Sequence, residues 1–371
     1  MDVPYKVCET TEGAARLFVP DVLRRKGPGT AGPWPFYNPT MAVNRDMSAI
    51  VMERWPAPLR SVLDGLAATG AWGIRMSMEA RAPGLTFNDR SSAATDLARE
   101  NARRNGVDAV VTTRDLRTLL RSHSHDFVDI DPFGPPTPFL EGAFASARSG
   151  AGLGISATDT AVLCGTYPDA CTRRYGARSL RCAQGGEIGL RILLGYCARV
   201  AAEHGHSIDP ILSFAAAHFL RVFIRVRSTE RAQPIQRVDR HRPGEFRIAR
   251  ASDRGAIGPL WLGPLCDPEL VSALRPSSWT RADTVRLLFT IQGEAELPAF
   301  FVTTDELAAQ EHGSPPKLDS LLGALRSIGY RAARTHFHPR GVRTDAPYSD
   351  VVRVFRERMP SESMGDSRPA S

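Results

Sequence analysis

Four short apolar runs, each closed by a carboxylate and followed by a turn and a helix, restrict the folds open to this chain. The carboxylates are Asp64, Asp89, Asp115 and Asp131. Units of this kind, repeated about every 25 residues, predict a mainly parallel sheet with helices on both faces. Because the carboxyl ends of parallel strands meet at one edge, we expect the four acidic side chains to lie there together. The pattern predicts an α/β fold with its ligand site at that edge.

The loop after the first run is built from small residues between Asp64 and Gly70. Gly65 and Gly70 allow the backbone to approach a ligand, and the first turn of the helix that follows presents free N–H groups. Asp89 comes roughly 25 positions after Asp64, where Rossmann-like folds hydrogen-bond ribose hydroxyls. Together these features predict a site for an adenosine-containing cofactor.

The fourth run ends in Asp131, Pro132 and Phe133. A carboxylate and the carbonyl oxygen of a conformationally fixed proline can accept both N–H bonds of a planar amine while the ring stacks on its face. The alternative is that Asp131 caps the next helix and Pro132 fills its first position. The alignment of all four acids on one edge favours the amine site.

Residues 1–40 are rich in Gly and Pro, and we expect them to form loops that lead into a helix from Ser48 to Trp55. Arg45 lies in the polar segment before that helix. It is a candidate to contact a ligand carboxylate through two parallel hydrogen bonds, although a surface arginine in a polar turn is the alternative.

The composition, with 42% hydrophobic and 23% charged residues, is ordinary for a globular protein. Met1 to Val19 lacks the basic flank and apolar run of a signal peptide. No stretch approaches the roughly 20 apolar residues that span a bilayer. The six cysteines are scattered without a C-x-x-C pair, so we expect neither a metal site nor a disulfide framework. These features predict a cytoplasmic protein.

The net charge of +7 is carried almost entirely by arginine, and ten arginines lie between Arg221 and Arg254 against four acidic residues. This block suits contact with a phosphate backbone, and a solvated basic face is the alternative. An apolar strand that ends near the start of the block predicts a domain boundary. We expect a first domain over 1–227, a smaller α+β domain over 228–360 and a disordered tail over 361–371.

Several long motifs, in the same order, resemble the tRNA guanine-26 N2-dimethyltransferase family. The most specific are Asp129–Gly134, Ala157–Gly165, Leu190–Gly195 and Gly258–Pro264. The resemblance implies a Rossmann-like class I S-adenosylmethionine-dependent methyltransferase domain followed by a family-specific tRNA-docking domain. It implies transfer of methyl groups from S-adenosylmethionine to the exocyclic N2 of a guanine in tRNA, expected at position 26.

The resemblance also assigns roles to single residues. Asp131 orients the guanine amino group in this scheme. The residues assigned to the cofactor are Arg45 and Arg75 at its methionine end, Asp89 at its ribose, and Asp115 with Leu116 at its adenine.

The chain departs from the family pattern in two places. Many members carry the paired cysteines of a zinc ribbon in the stretch that corresponds to 228–257, which here contains none, and Gln184–Glu187 replaces a His-Glu-Met-like sequence. Both departures bear on RNA docking. Two alternatives therefore stay open: the same domain methylating a small-molecule amine, and a noncatalytic RNA-binding module. The number of methyl groups transferred, the target guanine and the oligomeric state are also left open.

Overall fold

The computed structural model describes residues 5–21, 32–228, 231–250 and 252–360. The tail predicted to be disordered, 361–371, lies outside the described residues. The strands are β1 (Val7–Glu12), β2 (Ala15–Pro20), β3 (Val62–Asp64), β4 (Leu85–Asp89), β5 (Val110–Thr113), β6 (Phe127–Ile130), β7 (Gly152–Ala157), β8 (Ser207–Ala216), β9 (Phe219–Arg227), β10 (Ile235–Arg242), β11 (Glu245–Ile248), β12 (Ile257–Trp261), β13 (Val302–Thr303), β14 (Ala332–Thr335) and β15 (His338–Thr344). The α-helices are α1 (Ala42–Glu53), α2 (Ala71–Ala80), α3 (Ser92–Arg104), α4 (Leu116–Ser122), α5 (Thr137–Ser146), α6 (Thr160–Leu163), α7 (Pro168–Tyr175), α8 (Gly185–Glu203), α9 (Pro268–Ala273), α10 (Ala282–Glu294), α11 (Thr304–Gln310), α12 (Leu318–Ser327) and α13 (Tyr348–Arg358).

The central sheet has the strand order β5-β4-β3-β6-β7-β9-β8. Strands β3 to β7 are parallel, and Asp64 of β3 pairs with Asp129 of β6. Strand β9 runs antiparallel to both β7 and β8. The predicted α/β Rossmann-like fold is confirmed. The apolar stretch that we expected to give a single last strand instead forms two, because its turn at Ala217 and His218 folds it into a hairpin.

Helices cover both faces of this sheet. Apolar side chains of α1 and α2 form one core with one face of the sheet. Those of α4, α5 and α8 form a second core with the opposite face. Helix α8 is buried along most of its length, as its dense apolar pattern predicts. This two-sided packing fixes the carboxyl ends of the parallel strands as the open edge of the sheet.

The N-terminal segment forms a hairpin, β1–β2, where we expected loops. Gly13 occupies its turn with φ of +58°, a conformation that favours glycine. Leu17 and Val19 alternate with more exposed residues in β2 and reach the core beside α2 and α3. The helix that follows begins at Ala42 rather than Ser48, so Arg45 lies inside α1 and not in a loop.

The C-terminal part of the chain contains two small sheets, in the orders β11-β10-β12 and β13-β15-β14. Helices α11, α12 and α13 pack with the second of these sheets around a core of their own. In contrast, side chains of β12 and α10 belong to the cores of the large sheet. The α+β unit confirms the predicted second fold element, whereas the boundary between residues 227 and 228 stays a prediction.

A buried ion-pair network joins α8 to the C-terminal unit. Nη2 of Arg343 donates to Oε2 of Glu187 at 2.7 Å, and its Nε donates to Oε2 of Glu294 at 2.7 Å. Arg191 donates to Glu187 at 2.9 Å, and His336 hydrogen-bonds Glu294. Burial opposes ionisation of Glu187, yet Arg343 and Arg191 hold its pKa below the usual range. The network fixes the C-terminal unit to the helix that covers the large sheet.

Among the residues described, no helix has both the length and the apolar character needed to cross a membrane.

Candidate active site

Two of the four predicted strand-end carboxylates, Asp64 and Asp131, lie together at the carboxyl edge of the sheet with Asp129, which was not among the four. Asp64 and Asp129 are almost fully buried side by side on β3 and β6, and Asp131 follows β6 at partial exposure. Oδ2 of Asp64 accepts a hydrogen bond from the backbone N–H of Gly73 at 3.1 Å. Burial, followed by the charge of Asp129, raises the pKa of Asp64 well above its ordinary value. The edge therefore places two buried carboxyl groups that disfavour each other's ionisation at the position predicted for a ligand.

The small-residue loop lies directly over this edge. The backbone N–H of Gly65 donates to the carbonyl oxygen of Asp129 at 3.0 Å, and a Cβ atom at position 65 would come within 2.7 Å of that oxygen. Gly70 has φ of +76° and opens α2. Leu116, which is buried, would lie 3.0 Å from the same Cβ atom and so packs against the loop. Glycine is required at position 65, as expected for a loop that approaches a ligand.

Asp89 is held at the end of β4 beside the loop. Its Oδ2 accepts from the N–H of Ala68 at 3.1 Å and its Oδ1 from the N–H of Ser91 at 2.9 Å. Each carboxylate oxygen keeps a further lone pair. Asp89 is therefore fixed in orientation and can still accept hydroxyl hydrogen bonds.

Asp115 stands at the N-terminus of α4, where its side chain accepts from the N–H of Arg117 at 2.9 Å. The Arg117 guanidinium also binds it, and these hydrogen bonds lower the pKa of Asp115 to about 2. Asp115 follows β5, the edge strand of the sheet, and lies apart from the buried carboxylates.

Arg45 and Arg75 share a buried cluster of carboxylates. Nη2 of Arg45 donates to Oε2 of Glu12 at 2.7 Å. Arg75, fully buried, donates to Glu12 at 3.1 Å, Asp46 at 2.6 Å and Glu79 at 2.7 Å. Although burial opposes ionisation, Arg45 and Arg75 keep the pKa of Glu12 at about 2. Both guanidinium groups thus already have carboxylate partners, and the predicted contact with a cofactor carboxylate stays a prediction.

The loop after β6 carries the predicted amine-binding residues. Pro132 is buried, whereas Phe133 is 46% exposed. The next residue, Gly134, is hydrogen-bonded to Thr158. The Gly134 N–H donates to Oγ1 of Thr158 at 2.6 Å, and the Gly134 carbonyl oxygen accepts from the Thr158 N–H at 3.1 Å. The loop is therefore pinned to the segment that follows β7.

An aromatic partner that sequence reasoning did not single out faces this loop. The ring of Phe36 meets that of Phe133 edge to face, with 4.7 Å between ring centroids and an interplanar angle of 74°. Phe36 lies within the Pro-rich segment before α1, and the close spacing of Trp34, Phe36 and Tyr37 in a segment expected to form loops was the available signal. The pair provides two rings at the mouth of the site for a planar ligand.

A buried polar network lies beneath Asp131. Nδ2 of Asn44 donates to Oδ2 of Asp131 and to Oγ of Ser156, both at 3.3 Å. Arg221 is ion-paired with Asp129 and donates to Ser156 Oγ at 3.1 Å. Burial raises the pKa of Asp129 to about 6, although Arg221 favours its charged form. Arg221 therefore belongs to the site and not to an exposed basic block.

The rest of the arginine-rich segment contains ion-paired and exposed side chains, and the two groups overlap because the exposed Arg242 and Arg247 both pair with Glu245. Asp209 alone binds three of its arginines, namely Arg225, Arg227 and Arg231. Exposed arginines remain on the β10–β11 hairpin and include Arg237, Arg242 and Arg247. The hairpin occupies the stretch where the family pattern places zinc-ribbon cysteines, and no group of three or more metal-ligating side chains occurs in the described part of the chain.

The residues at this edge of the sheet fit S-adenosylmethionine. Asp89 offers fixed acceptors to ribose hydroxyls, position 65 excludes any side chain, and Leu116 provides an apolar wall beside the loop. A Rossmann-like sheet with this glycine loop, this strand-end acid and an Asp-Pro-Phe loop after β6 defines a class I S-adenosylmethionine-dependent methyltransferase.

Comparison with known proteins narrows this class. The family model described as N2,N2-dimethylguanosine tRNA methyltransferase matches residues 30–356, and the chain belongs to this family. It is 34% identical to the tRNA (guanine(26)-N(2))-dimethyltransferase of Pyrococcus abyssi, over 94% of this chain and 99% of that protein. It is 36% identical to the enzyme of that name from Methanoregula boonei, over 94% of this chain and 98% of that protein.

A solved structure extends the likeness to the whole fold. Trm1 from Pyrococcus horikoshii, determined in complex with S-adenosyl-L-methionine, superposes with a TM-score of 0.83 at 32% sequence identity. The superposition covers 95% of this chain and 100% of that chain. The family resemblance inferred from the motifs is confirmed.

Proposed function

We propose that this protein transfers methyl groups from S-adenosylmethionine to the exocyclic N2 of a guanine in tRNA, with position 26 the expected target. The observation that supports this most directly is the Asp131-Pro132-Phe133 loop, pinned at the carboxyl edge beside the glycine loop. tRNA as the partner and the cytoplasm as the location are parts of the same proposal.

The chemistry requires a site that compensates for a poor nucleophile. The N2 lone pair of guanine is conjugated with the ring, so the amino group must be held by acceptors that increase electron density on nitrogen during transfer. Asp131 and the carbonyl oxygen of Pro132 accept hydrogen bonds from its two N–H groups, and the Asp131 carboxylate takes the proton that N2 loses when it is methylated. The base leaves the RNA stack to reach them, and Phe133 stacks on its face with Phe36 at the rim. Orientation by these groups supplies much of the rate enhancement.

S-adenosylmethionine supplies the electrophilic methyl group when bound. In this proposal Gly65 and Gly70 allow its close approach, and the buried Asp64 holds the first turn of α2, which follows the loop, through the N–H of Gly73. The side chains that hold the cofactor are Asp89 at the ribose, Asp115 and Leu116 at the adenine, and Arg45 and Arg75 at the methionine end. For the two arginines this requires a contact made in addition to their present carboxylate partners.

The deciding experiment is mass spectrometry of nucleosides from unmodified bulk tRNA incubated with the purified protein and S-adenosylmethionine. We expect N2-methylated and N2,N2-dimethylated guanosine, absent when the protein is left out. If tRNA stays unmodified while the protein binds S-adenosylmethionine, the proposed substrate is wrong, and small-molecule amines become the substrates to test.

We expect the exposed arginines of the β10–β11 hairpin to contact tRNA phosphates. Replacing Arg237, Arg242 and Arg247 together by Gln should weaken tRNA binding about uniformly across tRNA sequences, and each lost contact should reduce the slope of log affinity against log salt by about 0.7 to 0.9. S-adenosylmethionine affinity should not change. Filter binding at several salt concentrations measures both quantities.

A triple variant with the same loss of charge provides the control. Arg99, Arg103 and Arg353 are exposed and lie on α3 and α13. Their replacement by Gln should change the salt slope less than the hairpin variant does. Equal slopes for the two variants would show that net charge, not the hairpin, governs binding.

A further inference from the structure

Asn44 is the polar side chain in direct contact with the carboxylate of Asp131. It lies in the first turn of α1 and is fully buried. Its Nδ2 donates to Oδ2 of Asp131 at 3.3 Å. An ionised carboxylate only accepts hydrogen bonds, so the amide must present its nitrogen to Asp131. The contact therefore has one chemically allowed orientation.

The same amide nitrogen connects Asp131 to a buried cation. Nδ2 of Asn44 also donates to Oγ of Ser156 at 3.3 Å, and that oxygen accepts from Nη1 of Arg221 at 3.1 Å. The three residues come from α1, β7 and β9, so three separate elements meet behind the Asp131 carboxylate. Packing from three sides limits the rotation of each side chain.

A purely structural role explains Asn44 poorly. Its Oδ1 is buried with no hydrogen-bond partner in the described structure. An unsatisfied buried acceptor is destabilising, and an apolar side chain of similar size would avoid this cost. Asn44 is also held from its own helix, because Oγ of Ser48 donates to its carbonyl oxygen at 2.8 Å. The residue is rigid, costly to bury and directed at Asp131.

We propose that Asn44 is a positioning residue for methyl transfer, which holds one oxygen of Asp131 so that the other accepts an N–H of the amino group to be methylated. The inference rests on the proposed function of the site. It assigns to Asn44 the orientation of Asp131, because the buried amide N–H on α1 holds one of the two carboxylate oxygens.

Other titratable groups also lie near Asp131. In addition to burial, the charge of Asp131 raises the pKa of Asp64 on β3 and of Asp129 on β6, and it also acts on His218, in the turn between β8 and β9. Burial lowers the pKa of His218, against the attraction of Asp131. An effect of Asn44 on the pH–rate profile must therefore be separated from an effect of His218.

The test replaces Asn44 by Asp, a change of almost equal size that puts a carboxylate against Asp131. We expect kcat for tRNA methylation near neutral pH to fall roughly 10- to 100-fold, the size of a lost hydrogen bond to a charged group. The acid limb of the pH–rate profile should move to higher pH, because like charges raise the pKa of a carboxyl pair. S-adenosylmethionine affinity should stay within about threefold, since the Asn44 side chain is not among the predicted cofactor contacts.

Two comparisons isolate the effect. Asn105→Asp alters an asparagine at the end of α3 whose side chain hydrogen-bonds to the backbone of β2. This variant should leave the acid limb of the pH–rate profile in place. In a His218→Gln background, Asn44→Asp should still move the limb. A shift that disappears in that background would assign it to His218 and overturn the inference.

The remaining outcomes also decide. If wild-type protein methylates tRNA and Asn44→Asp keeps the wild-type acid limb, the role of Asn44 is wrong while the proposed function stands. If Asn44→Asp only lowers the melting temperature, the residue is structural and the inference fails. If wild-type protein leaves tRNA unmodified, the proposed function fails, and the inference fails with it.

Discussion

Replacing Asp131 by Ala is expected to reduce methyl transfer to tRNA by roughly 1,000-fold or more, the upper range for losing one preorganised electrostatic group. The carboxylate stands after β6 and is held by Asn44 at 3.3 Å. Without it, the carbonyl oxygen of Pro132 is left as the acceptor of this loop. Single-turnover assays with tRNA measure the transfer step, and calorimetric titration with S-adenosylmethionine measures cofactor binding. Cofactor affinity should change no more than a few-fold, because the loop over β3 is untouched.

A carboxylate far from the site serves as the control for Asp131→Ala. Asp319 has 80% of its side chain exposed and binds Arg334 on the C-terminal unit. Asp319→Ala should transfer methyl groups at nearly the wild-type rate. An Asp131→Ala protein that keeps most of its turnover would exclude the role given to this residue.

Glu187→Ala should destabilise the folded chain by about 3 to 5 kcal/mol, as expected when one partner of a buried ion pair is removed. The variant would leave Arg343 and Arg191 buried without their shared carboxylate, and the backbone N–H of Phe300, which donates to Glu187 at 2.8 Å, would lose its acceptor. Urea denaturation followed by tryptophan fluorescence measures the loss.

The same helix offers the matched control for Glu187→Ala. Glu203, the last residue of α8, is exposed, and Glu203→Ala should change the free energy of unfolding by no more than about 0.5 kcal/mol. Combining Glu187→Ala with Arg343→Met should cost less than the sum of the two single changes, because the second removes a charge that the first left unpaired. Equal urea midpoints for the variants at positions 187 and 203 would contradict a stabilising role for the network.

Much of the fold was predictable from local patterns along the chain. The four parallel strand-turn-helix units follow from apolar runs closed by acids, and α8 from its apolar periodicity. Each of these patterns is contained within about 20 consecutive residues, so it can be recognised without knowing any long-range contact. The placement of Asp64, Asp89 and Asp131 at one edge then follows from parallel pairing, whereas the buried Asp129 beside them was not predicted.

Features that depend on distant pairing were missed. The β1–β2 hairpin places Glu12 against Arg75, 63 positions away, and no local pattern announces that contact. Arg221 belongs by sequence to a basic block, yet β9 inserts between β7 and β8 and carries it under the site beside Asp129. Composition counts the charge of an arginine but gives no information on the carboxylate it will meet.

The hydrogen bonds between Gly134 and Thr158 affect how fast a bound guanine can be methylated. They tie the Asp131 loop to the end of a neighbouring strand when the chain folds. The conformational entropy of that loop is therefore lost during folding and does not have to be lost again in each catalytic cycle. The hydrogen-bond acceptors are therefore in place before guanine binds. Most of the conformational change in each cycle is made by the nucleotide as it leaves the RNA stack, not by the protein loop.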